Sequence, residues 1–260
     1  MLFEEHSRII STIIYKRMCI FMDFSGKAAF VTGVSHGIGR AIALGLAKNK
    51  AALFLCDIDK AGLKETAKAV NELGAQVEIC GLDVSDEAAV HAVMDKAILR
   101  FGKIDILINN AGIYNTFGLF QNSNSVDWKK KIEVNILGTM YPTQAVLNHM
   151  IANRYGRIVN IGSVAGVYGI PNMTDYAMTK GAVIAFTKSL AKETAPFGVT
   201  VNAVSPGSIS VSGEDMPEHS FTGRAGTPEE CANVVLFLAS DESSYVSGQN
   251  YLVDGCRKKM

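Results

Sequence analysis

The chain carries no excess charge of either sign. Lys plus Arg number 25 and Asp plus Glu number 25, so the formal net charge at neutral pH is zero. A broad nucleic-acid surface needs surplus cations, so no nucleic acid is expected as a partner. Near-neutrality also leaves little self-repulsion against association between copies. Cysteine is sparse. The five, Cys19, Cys56, Cys80, Cys231 and Cys256, are odd in number, widely spaced and free of any Cys-x-x-Cys. That pattern argues against a disulfide framework and a structural zinc site, and for a reducing cytoplasm; no metal is expected. Proline is low, at 6, and no Pro-rich linker, internal repeat or low-complexity tract divides the chain. No window reaches the roughly 18 uncharged apolar residues of a membrane span.

What is present is a chain of 260 residues, 48% hydrophobic and 19% charged, with 24 glycines. It is globular in composition and long enough for one large core. Residues 1–22 stand apart. Glu4 and Glu5 sit where a secretory signal would be basic, and Arg8, Lys16 and Arg17 interrupt the apolar stretch. Ile9, Ile10, Ile13 and Ile14 share one helical face. Three readings stay open. Met22 could open the native chain, the segment could be an amphipathic helix packed on this subunit or a neighbour, or it could lie on a membrane surface. The last ranks lowest, so no membrane partner is expected.

From Lys27 onward, short apolar runs alternate with helical periodicity. Strands are expected over Lys27–Thr32, Ala52–Cys56, Gln76–Gly81, Ile104–Ile108, Gly156–Ile161, Val199–Val204 and Tyr251–Val253. Helices are expected over Ile38–Lys48, Lys60–Leu73, Asp86–Phe101, Trp128–Asn153, Asp175–Thr194 and Pro228–Ala239. Strand runs with little alternation imply a sheet covered on both faces. Strand–helix alternation implies right-handed crossovers and a doubly wound parallel α/β sheet. The irregular stretch Pro206–Thr227, rich in Ser, Gly and charge, reads as a candidate mobile loop.

Ligands in such sheets bind beyond the carboxyl ends of the strands. After the first strand, Thr32–Gly39 reads T-G-x-x-x-G-x-G, with Gly33, Ser35, His36, Gly37, Ile38 and Gly39 forming the loop. Glycines admit a pyrophosphate close to the backbone, and the following helix presents unpaired N–H groups to it. The second strand ends at Asp57, eighteen residues past Gly39. A carboxylate there accepts hydrogen bonds from the adenosine ribose and repels a 2′-phosphate, so NAD is expected over NADP. The bland alternative is a solvated charge in the turn Asp57-Ile58-Asp59. A protonated His36 would help hold an extra phosphate and complicates the choice. Asp83 and Val84 follow the third strand, near an adenine. Asn109 and Asn110 follow the fourth, the first in a structural role and the second bordering the cofactor.

Tyr176 and Lys180 form Y-x-x-x-K, a spacing that places both on one helical face. An ammonium beside a phenol favours phenolate, so Lys180 is expected to lower the Tyr176 pKa. Ser163 lies thirteen residues before Tyr176, at a strand end, where its hydroxyl could steady a substrate oxygen.

Read together, these motifs resemble the short-chain dehydrogenase/reductase family over about Asp23 to Asp254. They include Asn109-Asn110-Ala111-Gly112, Pro206-Gly207 and the closing FLASDESSYVSGQNYLVDG. The resemblance implies a Rossmann-type fold of seven strands with helices on both faces. It divides the chain into an extension over 1–22 and a dinucleotide-binding catalytic domain over 23–260. It also implies hydride transfer between nicotinamide and a ketone or secondary alcohol. Tyr176 would be the acid/base, Ser163 the substrate-oxygen stabiliser, and Lys180 the nicotinamide-ribose ligand. Asn135 would hold a water in a proton relay, and Ile209 would border the carboxamide. Homotetramers are the family's usual assembly.

Three departures stand out. Val211 replaces a usual Thr, the Gly207–Arg224 segment is short, and Val253-Asp254-Gly255-Cys256 is followed by a basic tail. The short segment suggests an open cleft. Together with Asp57 and the extension it leads to an expected NAD-dependent hydroxysteroid dehydrogenase, possibly acting at a C20 carbonyl, with a bulky apolar substrate. The alternatives are a 3-oxoacyl-(acyl-carrier-protein) reductase and a sugar dehydrogenase. A non-catalytic NAD-binding protein is the reading from another class.

Overall fold

Seven short strands, most of them largely apolar, form one parallel sheet in the order β3-β2-β1-β4-β5-β6-β7. They are β1 (Ala28–Thr32), β2 (Ala52–Asp57), β3 (Val77–Gly81), β4 (Ile106–Asn109), β5 (Gly156–Ile161), β6 (Val199–Pro206) and β7 (Asn250–Val253). A computed structural model describes residues 22–114, 117–211 and 214–258. The readings made for residues 1–21 lie outside them.

Strand alternation sends side chains to both faces. Ala29, Val31, Leu53, Leu55, Ile106 and Ile108 pack into one core, and Ala28, Phe30, Phe54, Cys56 and Leu107 into the other. The first core is closed by α1 (Gly37–Lys48), α2 (Lys60–Glu72) and α8 (Pro228–Ala239). The second is closed by α3 (Glu87–Phe101), α5 (Gly138–Ala152) and α7 (Thr174–Thr194). Phe30 and Phe54 stack across β1 and β2 at 5.5 Å. The sheet is thus covered on both sides, as the near-continuous apolar strands require.

Polar side chains set the helix starts. Asp59 and Asp86 accept backbone N–H bonds as caps of α2 and α3. Thr227 and Glu230 form a reciprocal capping box on α8. Asn124 caps α4 (Ser125–Lys131) by accepting from Val126 and Asp127 N–H groups. The helix expected to begin at Trp128 therefore begins earlier, and it is not one helix. A π turn over Ile132–Leu137 separates α4 from α5. Two threonine hydroxyls bond back to carbonyls four residues earlier, Thr139 to Asn135 and Thr143 to Thr139. Pro142 can donate nothing to the ladder. Wide turns of this kind collect at functional sites. A short helix, α6 (Ala165–Tyr168), has no counterpart in the periodicity.

The described residues of the stretch Pro206–Thr227 are also tied down more than its composition suggests. Ser210 N–H donates to the Gly226 carbonyl at 2.9 Å, Ala225 N–H to Glu214 at 2.8 Å, and Met216 N–H to Gly223 at 3.0 Å. No helix among the described residues is long and apolar enough to cross a membrane.

Candidate active site

The strand order reverses direction between β1 and β4, and a cleft opens there at the carboxyl ends. A cavity of about 870 Å³ occupies it. Its wall includes Gly33, Ser35, His36, Gly37, Ile38 and Gly39 after β1, and Asp57 and Ile58 after β2. Asp83 and Val84 follow β3, and Asn110 follows β4. Ser163, Tyr176, Lys180, Pro206, Gly207 and Ile209 complete it. The residues singled out in the sequence thus converge on one space, with Asn135 set behind the wall.

The loop after β1 is built for close approach. Thr32 Oγ1 accepts from the N–H groups of Asn110 and Ala111, both at 3.1 Å. The Asn110 amide donates to the Gly33 carbonyl at 2.6 Å. A Cβ on Gly39 would lie 1.9 Å from the Gly33 carbonyl oxygen. Gly37 sits at φ +55° with nothing near its missing Cβ, which leaves open space at the start of α1. That cradle fits the pyrophosphate of a dinucleotide. Gly39→Ala must push α1 away from β1. Coenzyme binding is expected to be lost, and stability to fall by about 1–3 kcal/mol, the usual cost of overpacking. Fluorescence titration with NADH and thermal melting check this, and a variant that binds normally would contradict it.

Asp57 is nearly buried, and its carboxylate is already oriented. One oxygen accepts from the Ser35 N–H at 2.8 Å, the other from the Asp59 N–H at 2.9 Å. Asp57 also lines the cavity, where a carboxylate can accept from a ribose diol and repels a phosphate. Asp83 is turned differently from a simple adenine contact. One of its oxygens accepts from both the Ser85 hydroxyl, at 2.6 Å, and the Ser85 N–H, at 2.9 Å. The Ser85 hydroxyl is the main reason the carboxyl is held below its usual range.

The chemical end lies between β5 and α7. Ser163, just past the end of β5, lies beside the Tyr176 phenol and pulls its pKa down. Its own Oγ accepts from the Ala165 N–H at 3.1 Å. Tyr114 packs edge-on against Tyr176, with centroids 6.2 Å apart.

Here the expected electrostatics need correcting. The Tyr176 phenol is raised, not lowered, chiefly by burial, with Ser163 pulling it partly back and Tyr114 adding a push upward. Lys180 does share its face, but its Nζ donates to the Ile161 carbonyl at 2.8 Å and stands 5.9 Å from the tyrosine ring centre. Burial instead pushes the Lys180 ammonium down, to about 8. The phenol therefore holds its proton at neutral pH.

Asn135, buried within the π turn, grips the backbone of Ile113 in both directions. Its Oδ1 accepts from the Ile113 N–H at 2.8 Å, and its Nδ2 donates to the Ile113 carbonyl at 2.9 Å and to Thr179 Oγ1 at 3.0 Å. The side chain fixes the strand-end segment beside the cleft. Asn109 is structural, donating to Thr143 and Asn160 at 2.9 Å each.

Several wall residues had no signal of their own. Tyr114, Ile170 and Met173 line the substrate side, as do Ser208, His219 and Arg257. The serine directly after Pro206-Gly207 and the basic tail were the available hints for the last group. Among the described residues, no group of His, Cys, Asp and Glu side chains could hold a metal ion.

Known proteins share this arrangement. The family model adh_short_C2, described as enoyl-(acyl carrier protein) reductase, matches residues 33–256. The chain is 42% identical over 243 residues to the 3-oxoacyl-[acyl-carrier-protein] reductase FabG of Thermotoga maritima, covering 90% of this chain and 98% of that protein. It is 40% identical over 244 residues to the Escherichia coli protein of the same name, again covering 90% and 98%. Among solved structures, an NAD+-bound xylitol dehydrogenase superposes with a TM-score of 0.84 at 35% identity, covering 89% of this chain and 99% of that one. A 3-oxoacyl-[acyl-carrier protein] reductase with bound NAD from Brucella melitensis gives 0.80 at 35%, covering 89% and 90%.

Proposed function

The chain belongs to the short-chain dehydrogenase/reductase family of oxidoreductases, and from that premise we propose that it is an NADH-dependent reductase of 3-oxoacyl thioesters. The observation that carries this reading is the near end-to-end match to 3-oxoacyl-[acyl-carrier-protein] reductases, joined to a carboxylate at the end of β2. The hydroxysteroid first expected gives way to the thioester alternative, because the matching relatives are named for acyl-carrier-protein substrates.

The loop Gly33–Gly39 and the start of α1 would hold the pyrophosphate, and Asp57 the adenosine ribose. Ile209 and the Pro206-Gly207 turn would border the nicotinamide. When bound, the nicotinamide supplies a hydride at its C4. The protein's part is positional and protonic. Ser163 donates a hydrogen bond to the substrate carbonyl oxygen and polarises it. Tyr176, protonated at neutral pH, gives its proton to the same oxygen as negative charge develops there. Lys180, anchored on the Ile161 carbonyl, places a cation behind the tyrosine and would hold the nicotinamide ribose. Asn135 holds Ile113, and so one edge of the cleft, in place.

Assembly as a homotetramer in a reducing compartment completes the proposal. Met140 on α5, Met178 on α7 and Leu252 on the edge strand β7 are exposed apolar side chains on the faces where copies would meet. Cys56, Cys80, Cys231 and Cys256 are free thiols.

Steady-state assays with an acetoacetyl thioester and each reduced coenzyme test the reading. NADH is expected to win. In Asp57→Asn, kcat/KM for NADH should fall about 10- to 100-fold, the loss of a charge-assisted pair of hydrogen bonds. The NADPH value should fall less or rise. A wild-type preference for NADPH would remove Asp57 from its assigned role.

A further inference from the structure

Of the lysine and arginine side chains on the described cavity wall, Arg257 alone lacks an anionic or carbonyl partner. Lys130 lies 3.7 Å from both Asp83 and Glu133. Lys180 donates to a backbone carbonyl. His219 has Glu218 beside it at 3.7 Å. Arg257 has neither a carboxylate nor a carbonyl among the described residues. Its one polar side-chain contact among the described residues is with Ser208 Oγ, at 3.5 Å, the outer limit of a hydrogen bond. By contrast, Arg224, in the same part of the fold, is paired with Glu230 through two bonds of 2.9 and 2.6 Å.

Arg257 is held there by design of the backbone. After β7, Gly255 and Cys256 take φ of +61° and +58°, two successive left-handed residues that turn the chain sharply. For cysteine that conformation is strained, and surrounding contacts must enforce it. They do. Asp254 Oδ1 accepts the Cys256 N–H at 3.0 Å, and a Cβ on Gly255 would lie 2.5 Å from Thr222 Oγ1. The tail then runs antiparallel to the 219–222 segment. Ser220 bridges Arg257, Phe221 N–H donates to Cys256 and Lys258 N–H donates to His219, both at 3.0 Å. Lys258 Nζ reaches the Pro217 carbonyl at 2.6 Å. The Ser208 hydroxyl, which Arg257 approaches, is also bonded to His219 Nδ1 at 2.9 Å.

The place in the sheet fixes which ligand can meet this group. The adenosine half of the cleft belongs to β1, β2 and β3, at one end of the strand order. Arg257 follows β7, at the other end, beyond the β5 and β6 ends that carry Ser163 and Gly207. We propose that Arg257, with the Ser208 hydroxyl, forms an anion subsite at the substrate end of the cleft, which selects ketones bearing a carboxylate or a phosphate away from the reacting carbonyl. The five donors of a guanidinium form a planar fork that matches either oxyanion through two parallel bonds. This rests on the oxidoreductase reading of the cleft and adds to it a charge requirement on the substrate.

The test uses paired ligands that differ by one anionic group, titrated calorimetrically into the full chain with and without NADH. One pair is 4′-phosphopantetheine and pantetheine, and the other is acetoacetate and its methyl ester. At least one anionic member is expected to bind about 10- to 100-fold more tightly than its neutral partner, the range for a hydrogen-bonded charge. The pair that shows the preference tells phosphate from carboxylate. Arg257→Ala should abolish the preference, and Arg257→Lys should retain only part of it, because an ammonium lacks the fork. NADH affinity serves as the control that the variants are folded. Absence of an anion preference in the wild type, its survival in Arg257→Ala, or equal weakening of charged and neutral members would each overturn the proposal. Failure to reduce both the neutral N-acetylcysteamine thioester of acetoacetate and anionic acetoacetyl-4′-phosphopantetheine with NADH would instead sink the reductase reading and leave the binding result standing on its own.

Discussion

Tyr176→Phe is expected to reduce kcat about 10²- to 10⁴-fold while NADH still binds, the range that a positioned general acid contributes. The substitution deletes one oxygen and little else. The ring keeps its packing against Tyr114, and Lys180 keeps its bond to the Ile161 carbonyl. What disappears is the proton that burial holds on the phenol. Ser163 can still polarise a carbonyl, which leaves residual turnover. Coenzyme titration and a thermal melt separate a chemical defect from a folding one. A variant as active as the parent removes Tyr176 from the mechanism.

The second large effect concerns stability. Lys131 is completely buried, and its Nζ lies 2.6 Å from Asp175 Oδ2. The other Asp175 oxygen accepts the Tyr176 N–H at 2.7 Å. The pair therefore docks α4 against the first turn of the helix that carries the acid. Removing one partner of a buried pair strands the other charge, a loss of about 3–5 kcal/mol. Lys131→Ala should lose that much in urea unfolding. The double variant Lys131→Met/Asp175→Asn should lose less than the single one, since no charge is left stranded. A loss below about 1 kcal/mol in Lys131→Ala would mean that water or another group compensates the carboxylate.

Lys131 also marks where sequence reasoning stops. Lys129, Lys130 and Lys131 look like three solvated cations on one short helix. Only the tertiary contact with α7, across forty-four residues, shows that the third points inward. The strands were legible because the central ones run largely apolar on both sides. The helix starts were close to expectation where a carboxylate caps them, as at Asp59 and Asp86, but not at the Asn124 amide. The π turn was not, because nothing in the local periodicity records an extra residue in a turn. Its role depends on Asn135 meeting Ile113, which lies on a different element. The cleft residues Gly33 to Gly39, Asp57, Ser163, Tyr176 and Lys180 were legible as types at strand ends. The direction of the Tyr176 shift was not, since a spacing of four gives a shared face and leaves open which acceptor the lysine chooses. Arg257 fell outside the pattern for a related reason. It reaches Ser208 through a turn whose left-handed residues have to be seen in place.

The central claim is that this cleft brings a nicotinamide and a carbonyl carbon together under one phenolic proton. Incubation of the protein with NADH deuterated at both C4 positions and an acetoacetyl thioester, followed by mass spectrometry of the hydroxyacyl product, tests it most directly. The account requires one deuteron on the carbinol carbon and, in Tyr176→Phe, slower formation of the same labelled product. Coenzyme that binds but remains unoxidised, or a carbinol carbon labelled from solvent in place of the coenzyme, would contradict it.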